Sequence, residues 1–195
     1  KKIGKDGVVT VEESQSFGIT TEIAEGLKFD KGWMSPHMVT NPEKLEAEYK
    51  DIPVLILDKK ISFFSEIQPT LDALIKKKKK ELLIIADDID DSVLKAFAFA
   101  KYNGLFNVLA IKTPGIGLNK QFCVEDLCAL TGTEVTEDVT KEAKLGRVKK
   151  VLSKKDSAII LGGDVKHWIT TLNTRKELTE NAWEKDQFTE RIAKL

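Results

Sequence analysis

The chain has 195 residues, of which 42% are hydrophobic and 32% charged, and its 31 basic residues balance its 31 acidic ones. This composition is typical of a soluble globular protein with one core, so we expect one domain, or one domain with arms. The zero net charge argues against a nucleic-acid binder, and no apolar run approaches the length of a membrane span. The start, KKIGKDG, is not a signal peptide, and both ends lie in patterned sequence, so we expect a piece of a longer protein.

The apolar pattern predicts alternating strands and helices. Two strands are expected at 8–11 and 20–29, the second ending near Gly26. Four short apolar runs predict buried strands at 53–57, 82–86, 107–111 and 157–161. Helical patterns lie around 65–77, 91–103 and 118–130. This alternation indicates a layered α/β domain, and the polar helical pattern from about 165 onward predicts an arm that must pack against something else.

The stretch FDKGWMSPHMVTNP at 29–42 combines turn signals with large side chains. Gly32 and Ser35-Pro36 indicate a loop, and loops normally carry small polar residues. Large apolar side chains in such a loop are either packed under the domain or offered to a partner.

The helical pattern at 91–103 is apolar on nearly every side. Val93, Phe97 and Ala100 form one stripe, and further apolar residues cover much of the other side. Such a helix is either sandwiched inside a core or has a second partner, and the residues alone leave both interpretations open.

Catalytic patterns are missing from the sequence. The only histidines are His37 and His167, which excludes a histidine-based metal cluster, and no nucleophile elbow or Walker loop occurs. The glycines at 115 and 117 favour a turn over a nucleotide loop. The acids at 87–91 favour a helix N-terminus over a cation site. The lysines at 76–80 are interpreted as a solvated helix tail.

The two cysteines, Cys123 and Cys128, lie five residues apart in a predicted helix. That spacing separates them around the helix, so we expect buried, reduced thiols and a reducing compartment.

The segment FDKGWMSPHMVTNPE resembles the FDRGY-S-P-F-NPE segment of group I chaperonins, the GroEL family. Further segments resemble that family in the same order, namely VLILDKKIS at 54–62, ELLIIADDID at 81–90, VLAIKTPGIG at 108–117, ALTGTEV at 129–135 and ERIAKL at 190–195. The resemblance therefore covers nearly the whole chain. It implies the layered α/β apical domain over 26–195, including the C-terminal helical arm, with 1–25 as an intermediate-domain flank and a hinge at Gly26.

The resemblance also implies an apolar groove that binds non-native polypeptides and the mobile loop of a GroES-like co-chaperonin. The residues at the matching positions are Trp33, Met34, His37, Met38, Gln68, Leu71, Ile75, Leu94, Ala98, Phe99 and Lys101. On this alignment Leu71 and Leu94 are expected to be exposed, and Leu74, Val93 and Phe97 buried. No catalytic residue or metal site is implied within the fragment. The full-length parent would bind ATP and Mg, hydrolyse ATP and form a heptameric ring.

Three groove positions depart from the family pattern. Gln68 stands in place of a leucine, Ala98 in place of a larger aliphatic residue, and His37 in place of an aromatic one, so the groove is expected to be smaller and more polar. The lysine run at 76–80 inserts one residue relative to the family pattern. These departures favour a eukaryotic organelle, plastid or mitochondrion, over the bacterial cytoplasm. The alternatives are a stand-alone α/β enzyme with a small ligand, and an oligomer interface built from the same groove residues.

Overall fold

The computed structural model describes residues 26–136 and 143–195, so the predicted strand at 8–11 and most of that at 20–29 lie outside the described residues. The strands are β1 (Gly26–Phe29), β2 (Ala47–Ile56), β3 (Lys60–Ile61), β4 (Glu81–Ala86), β5 (Asp88–Ile89), β6 (Asn107–Lys112), β7 (Gly146–Ser153) and β8 (Ala158–Leu161). The helices are α1 (Gln68–Lys76), α2 (Asp91–Tyr102), α3 (Leu118–Thr131), α4 (Lys166–Leu178) and α5 (Ala182–Lys194). The predicted α/β class is confirmed.

Six strands form one mixed sheet in the order β1-β8-β7-β2-β4-β6, while β3 and β5 form a separate parallel pair. Within the six-stranded sheet, β2, β4 and β6 run parallel to one another, and the remaining pairings are antiparallel. Strand β4 is apolar without alternation, and its residues 82–86 are fully buried, as expected for a strand covered on both faces.

Strand β7 was not predicted, and its pairing with β2 explains why. Asp51 adopts a left-handed backbone with φ of 58° in the middle of β2, where Lys50 pairs with Lys150 and Ile52 with Val148. The alternation of buried and exposed side chains changes phase at this point, so the buried valines of β7 lie three residues apart instead of two. A period-two search therefore misses the strand.

Helices α1 and α2 lie side by side on the same face of the sheet. Each connects two adjacent parallel strands, α1 from β2 to β4 and α2 from β4 to β6, in the same direction across the sheet. Such crossovers are right-handed, so both helices cover the same face. Phe97 on α2 is 2% exposed and Leu74 on α1 is 4% exposed, and both face the core as expected.

The C-terminal arm packs against its own domain. Helices α4 and α5 contact each other, and Arg191 on α5 reaches Asp126 on α3, with Nε 3.0 Å from Oδ2 and Nη2 2.8 Å from Oδ1. Trp168 on α4 donates its indole N–H to the same carboxylate at 2.7 Å. Arg191 is 6% exposed, and its guanidinium also lies over the ring of Phe122. The polar arm, which was expected to need a packing partner, therefore packs against α3.

Gly26 begins β1 and pairs with Leu161 on β8. A Cβ atom at Gly26 would lie 2.6 Å from the carbonyl oxygen of Ile160, which is closer than real Cβ contacts allow. Its φ is not in the left-handed region. Close strand packing thus accounts for this glycine, and the hinge stays a prediction.

Candidate functional site

The loop that follows β1 is fastened to the sheet by its backbone. The N–H of Trp33 donates to the carbonyl of Lys154 at 3.1 Å, and the N–H of Met34 donates to that of Ala110 at 2.9 Å. The indole N–H of Trp33 donates to the carbonyl of Leu45 at 3.1 Å. Trp33 and Met34 are both half-buried, so the loop offers only part of each side chain to solvent.

A second set of contacts fastens the same loop to α2. The ammonium group of Lys101 donates to the carbonyls of His37, at 3.0 Å, and Val39. Burial lowers the pKa of Lys101. The Nδ1 atom of His37 lies 3.0 Å from the hydroxyl of Tyr102, and the two rings meet edge to face. Lys101 therefore holds the loop in place and is occupied within the domain.

The entry to α1 is held by a carboxylate. Helix α1 begins at Gln68, after a 3-10 turn at Phe64–Glu66. The backbone N–H groups of Ser62 and Phe63 both donate to Oε1 of Glu66 at 2.9 Å. Burial raises the pKa of Glu66, but these hydrogen bonds and Lys59 outweigh it, and the pKa lies below its ordinary value. The N–H of Glu66 donates in return to the backbone carbonyl of Phe63 at 3.1 Å, so Glu66 caps the turn that precedes α1.

Apolar side chains remain open to solvent on α1 and α2. Phe99 is 68% exposed, and Ile75 is 51% exposed. Leu94 and Ala98 are half-buried beside them, while Gln68 is exposed. Helix α2 is therefore not sandwiched within the described residues, because the side that carries Phe99 lies about 200° around the helix from buried Phe97.

Two of the expected groove residues are buried. Leu71 is 6% exposed, so the expectation that it faces solvent is wrong. It lies within 100° of Leu74 and Thr70 around α1, and these three side chains form the face that packs on the sheet. Met38 is 3% exposed, and the N–H of Ala110 points at its sulfur at 3.2 Å. Met38 therefore packs between the loop and β6, and its side chain is not accessible to a partner.

A cleft of about 500 Å³ brings the loop and the start of α2 together. Trp33, Met34 and Leu94 share its wall. Its remaining walls include acids and lysines from several segments, among them Asp88, Asp90, Asp91, Lys31, Lys112 and Lys155. Gln68 and Ile75 do not line this cleft, so the expected groove residues divide between the cleft and the exposed helix surfaces.

The structure adds exposed aromatic residues that the sequence analysis did not assign to the site. Phe63 is 70% exposed just before the 3-10 turn that precedes α1, and Phe64, within that turn, is 38% exposed with its ring centroid 6.2 Å from that of Phe97. Tyr102 is 76% exposed at the end of α2. The detectable signal was the pair of adjacent phenylalanines between a strand and a helix cap, because consecutive side chains cannot both point into one core. We call Phe63, Ile75, Phe99 and Tyr102 the open apolar surface.

The acids at 87–91 are largely engaged with lysines. Lys120 contacts both Asp87, at 2.6 Å, and Asp58, while Lys60 lies 2.6 Å from Asp90. Within the described ranges no group of three or more side chains is arranged to hold a metal ion.

The two thiols, Cys123 and Cys128, are free and half-buried. Burial raises the pKa of Cys123 to about 12 and that of Cys128 to about 11. Both therefore stay protonated near neutral pH, and thiols in that state react slowly.

These features define an α/β domain with a mixed six-stranded sheet and an open apolar surface on two adjacent helices. No protein-family model matches the chain. Among the helices of 26–136 and 143–195, none has the length and apolar character that crossing a membrane requires.

Proposed function

We propose that this chain is the polypeptide-binding apical domain of a group I, GroEL-like chaperonin. The observation that carries the proposal is the open apolar surface on α1, α2 and the turn before α1, where Phe99 is 68% exposed and Phe63 70%. Large exposed apolar residues in a well-packed domain indicate a surface that another molecule covers. The order of the chaperonin-like segments along the chain supports the same conclusion.

The chemistry of the surface suits non-native polypeptides. Burial of apolar area is non-directional and scales with the area covered, so it does not require one complementary shape. The exposed groups are chiefly aromatic and aliphatic, with Gln68 and His37 as polar members at the margin. Such a surface accepts many apolar segments weakly, and a ring of identical domains would add avidity. The mobile loop of a GroES-like co-chaperonin would bind at the same place.

In this proposal ATP and Mg bind elsewhere in the full-length parent, which hydrolyses ATP and assembles as a heptameric ring. Gly26 is the proposed hinge to the intermediate-domain flank at 1–25. A plastid or mitochondrion is the proposed location.

The test combines two measurements on the chain itself. Light scattering of an aggregating, chemically unfolded client should fall when the chain is added in excess, and Phe99→Ser should reduce this protection. Calorimetry with ATP and Mg should show no binding. A clear ATP isotherm, or full protection by Phe99→Ser, would contradict the proposal.

A second candidate function, small-ligand binding, is favoured by a cleft of about 790 Å³ between α3 and α4. Its volume lies in the range of ligand pockets, and Trp168 and Cys128 supply an apolar wall. However, its two cations are paired with glutamates, Arg175 with Glu125 at 3.4 Å and Lys144 with Glu134 at 3.0 Å. A charged ligand could use these cations only if the ion pairs opened, which costs free energy. Small-ligand binding therefore ranks second.

A further inference from the structure

The C-terminal ends of α1 and α2 lie together at one edge of the domain. Glu81 at the start of β4 pairs with Asn107 at the start of β6. The N–H of Asn107 donates to the carbonyl of Lys80 at 2.7 Å, and the ammonium group of Lys80 lies 3.5 Å from the carbonyl of Gly104. The segment that ends α1 therefore contacts the turn that ends α2.

This edge carries both apolar and basic side chains. Ile75 is exposed near the end of α1, Tyr102 is 76% exposed at the end of α2, and Leu105 is 58% exposed in the turn that follows α2. The five lysines at 76–80 are all exposed and follow Ile75 directly. An apolar surface thus continues into a strongly positive one without a break in the chain.

The positive charge at this edge is only partly balanced. The nearby acids on these elements are Asp72, one turn earlier on α1, and the half-buried Glu81. Within residues 26–136 and 143–195, Lys76, Lys78 and Lys79 form no ion pair. The C-termini of α1 and α2 carry partial negative charges that attract cations. Together these partial charges are smaller than the total charge of the five ammonium groups.

We propose that the open apolar surface prefers polypeptide segments in which an apolar stretch is flanked by acidic residues. The apolar stretch covers Phe99, Ile75 and Tyr102, and the acidic flank lies against the lysines at 76–80. Charge complementarity of this kind selects partners and speeds their encounter more than it raises affinity. This inference rests on the proposed function, because it names the class of client that the same surface takes.

The experiment uses three peptides of equal length that share one apolar half and end in three glutamates, three serines or three lysines. Fluorescence anisotropy with the 195-residue chain is expected to give dissociation constants about tenfold lower for the glutamate peptide than for the lysine peptide at low salt. The difference should shrink in 0.5 M salt, because the lysines are exposed to solvent.

The variant Lys76→Gln/Lys78→Gln/Lys79→Gln should lose the preference and keep its affinity for the serine peptide. The control Lys149→Gln/Lys176→Gln/Lys185→Gln removes the same charge from β7, α4 and α5 and should keep the preference. If the first variant does not fold, the salt series on the unmodified chain still decides.

Equal affinity for the glutamate and lysine peptides, with clear binding of the serine peptide, would overturn this inference and leave the proposed function standing. Failure of the serine peptide to bind would count against the proposed function itself. Binding to anionic phospholipid vesicles or to a single-stranded oligonucleotide more tightly than to the glutamate peptide would assign the lysines to a membrane or nucleic-acid partner instead.

Discussion

Phe97 and Phe99 are the same residue type two positions apart on α2, and they should respond to truncation in opposite ways. Phe97 is 2% exposed and packs in the core, whereas Phe99 is 68% exposed. Removing a buried phenylalanine side chain costs about 3–5 kcal/mol, so Phe97→Ala should lower the free energy of unfolding by that amount. Only about a third of the Phe99 side chain is covered, so Phe99→Ser should cost roughly 0.5–1 kcal/mol from a full burial value of about 1.5–3 kcal/mol.

The binding effects should be reversed. A partner that covers the exposed two-thirds of Phe99 gains roughly 1–2 kcal/mol at that site, and Phe99→Ser should remove that gain. Phe97→Ala should leave the affinity of the folded fraction nearly unchanged. Urea denaturation gives the stabilities, and anisotropy titration of an apolar peptide gives the affinities, both below the melting temperature of the weaker variant. Unfolding of the domain by Phe99→Ser, with unchanged affinity in the fraction that stays folded, would refute the assignment of α2 to a binding surface.

Three further predictions concern the elements that hold the site. Replacing Arg191 by Met should lower the free energy of unfolding by about 3–5 kcal/mol, because the carboxylate of Asp126 is left buried without its cation; the double change with Asp126→Asn should recover part of the loss in urea denaturation. Folding lowers the pKa of Glu66, so its stabilising effect is present above the unfolded pKa of about 4.3 and is lost as the pH falls through the lower folded pKa; Glu66→Gln should flatten the pH dependence of thermal stability in this acidic range, and an unchanged slope would contradict the cap. Gly26→Ala should destabilise the domain by about 1–3 kcal/mol through contact with the carbonyl of Ile160, and an unaltered melting temperature would show that the strands separate easily there.

The sequence predicted those elements whose side chains follow one periodicity along their whole length. The runs at 82–86 and 107–111 became β4 and β6, and the helical pattern at 91–103 became α2. Strand β7 was not predicted because the left-handed Asp51 on β2 shifts the alternation of buried and exposed side chains halfway along the β2–β7 pair. The sequence of β7 alone does not show this shift.

The candidate site was harder to predict than the fold. Leu71 and Ile75 lie only about 40° apart around α1, yet one is buried and the other exposed, because the helix ends beside Ile75. Met38 is buried because the loop folds over β6, a contact between residues far apart in sequence. The helical period places Phe97 and Phe99 on opposite sides of α2. It does not give the exposed fraction of a side chain at the boundary between the buried and exposed sides of a helix.

The contacts of Lys101 with the carbonyls of His37 and Val39 have a mechanical consequence. They join the loop to α2 at two points, and the loop is in turn bonded to β6 through Met34. The loop, α2 and β6 are therefore joined directly by hydrogen bonds. Helix α1 has no comparable bond to the loop among the described residues; its side chains pack on the sheet, and hydrogen bonds lie in the turn before it and in the segment after it. If the proposed function holds, a bulky segment bound between the two helices should therefore displace α1 more readily than α2 and the loop.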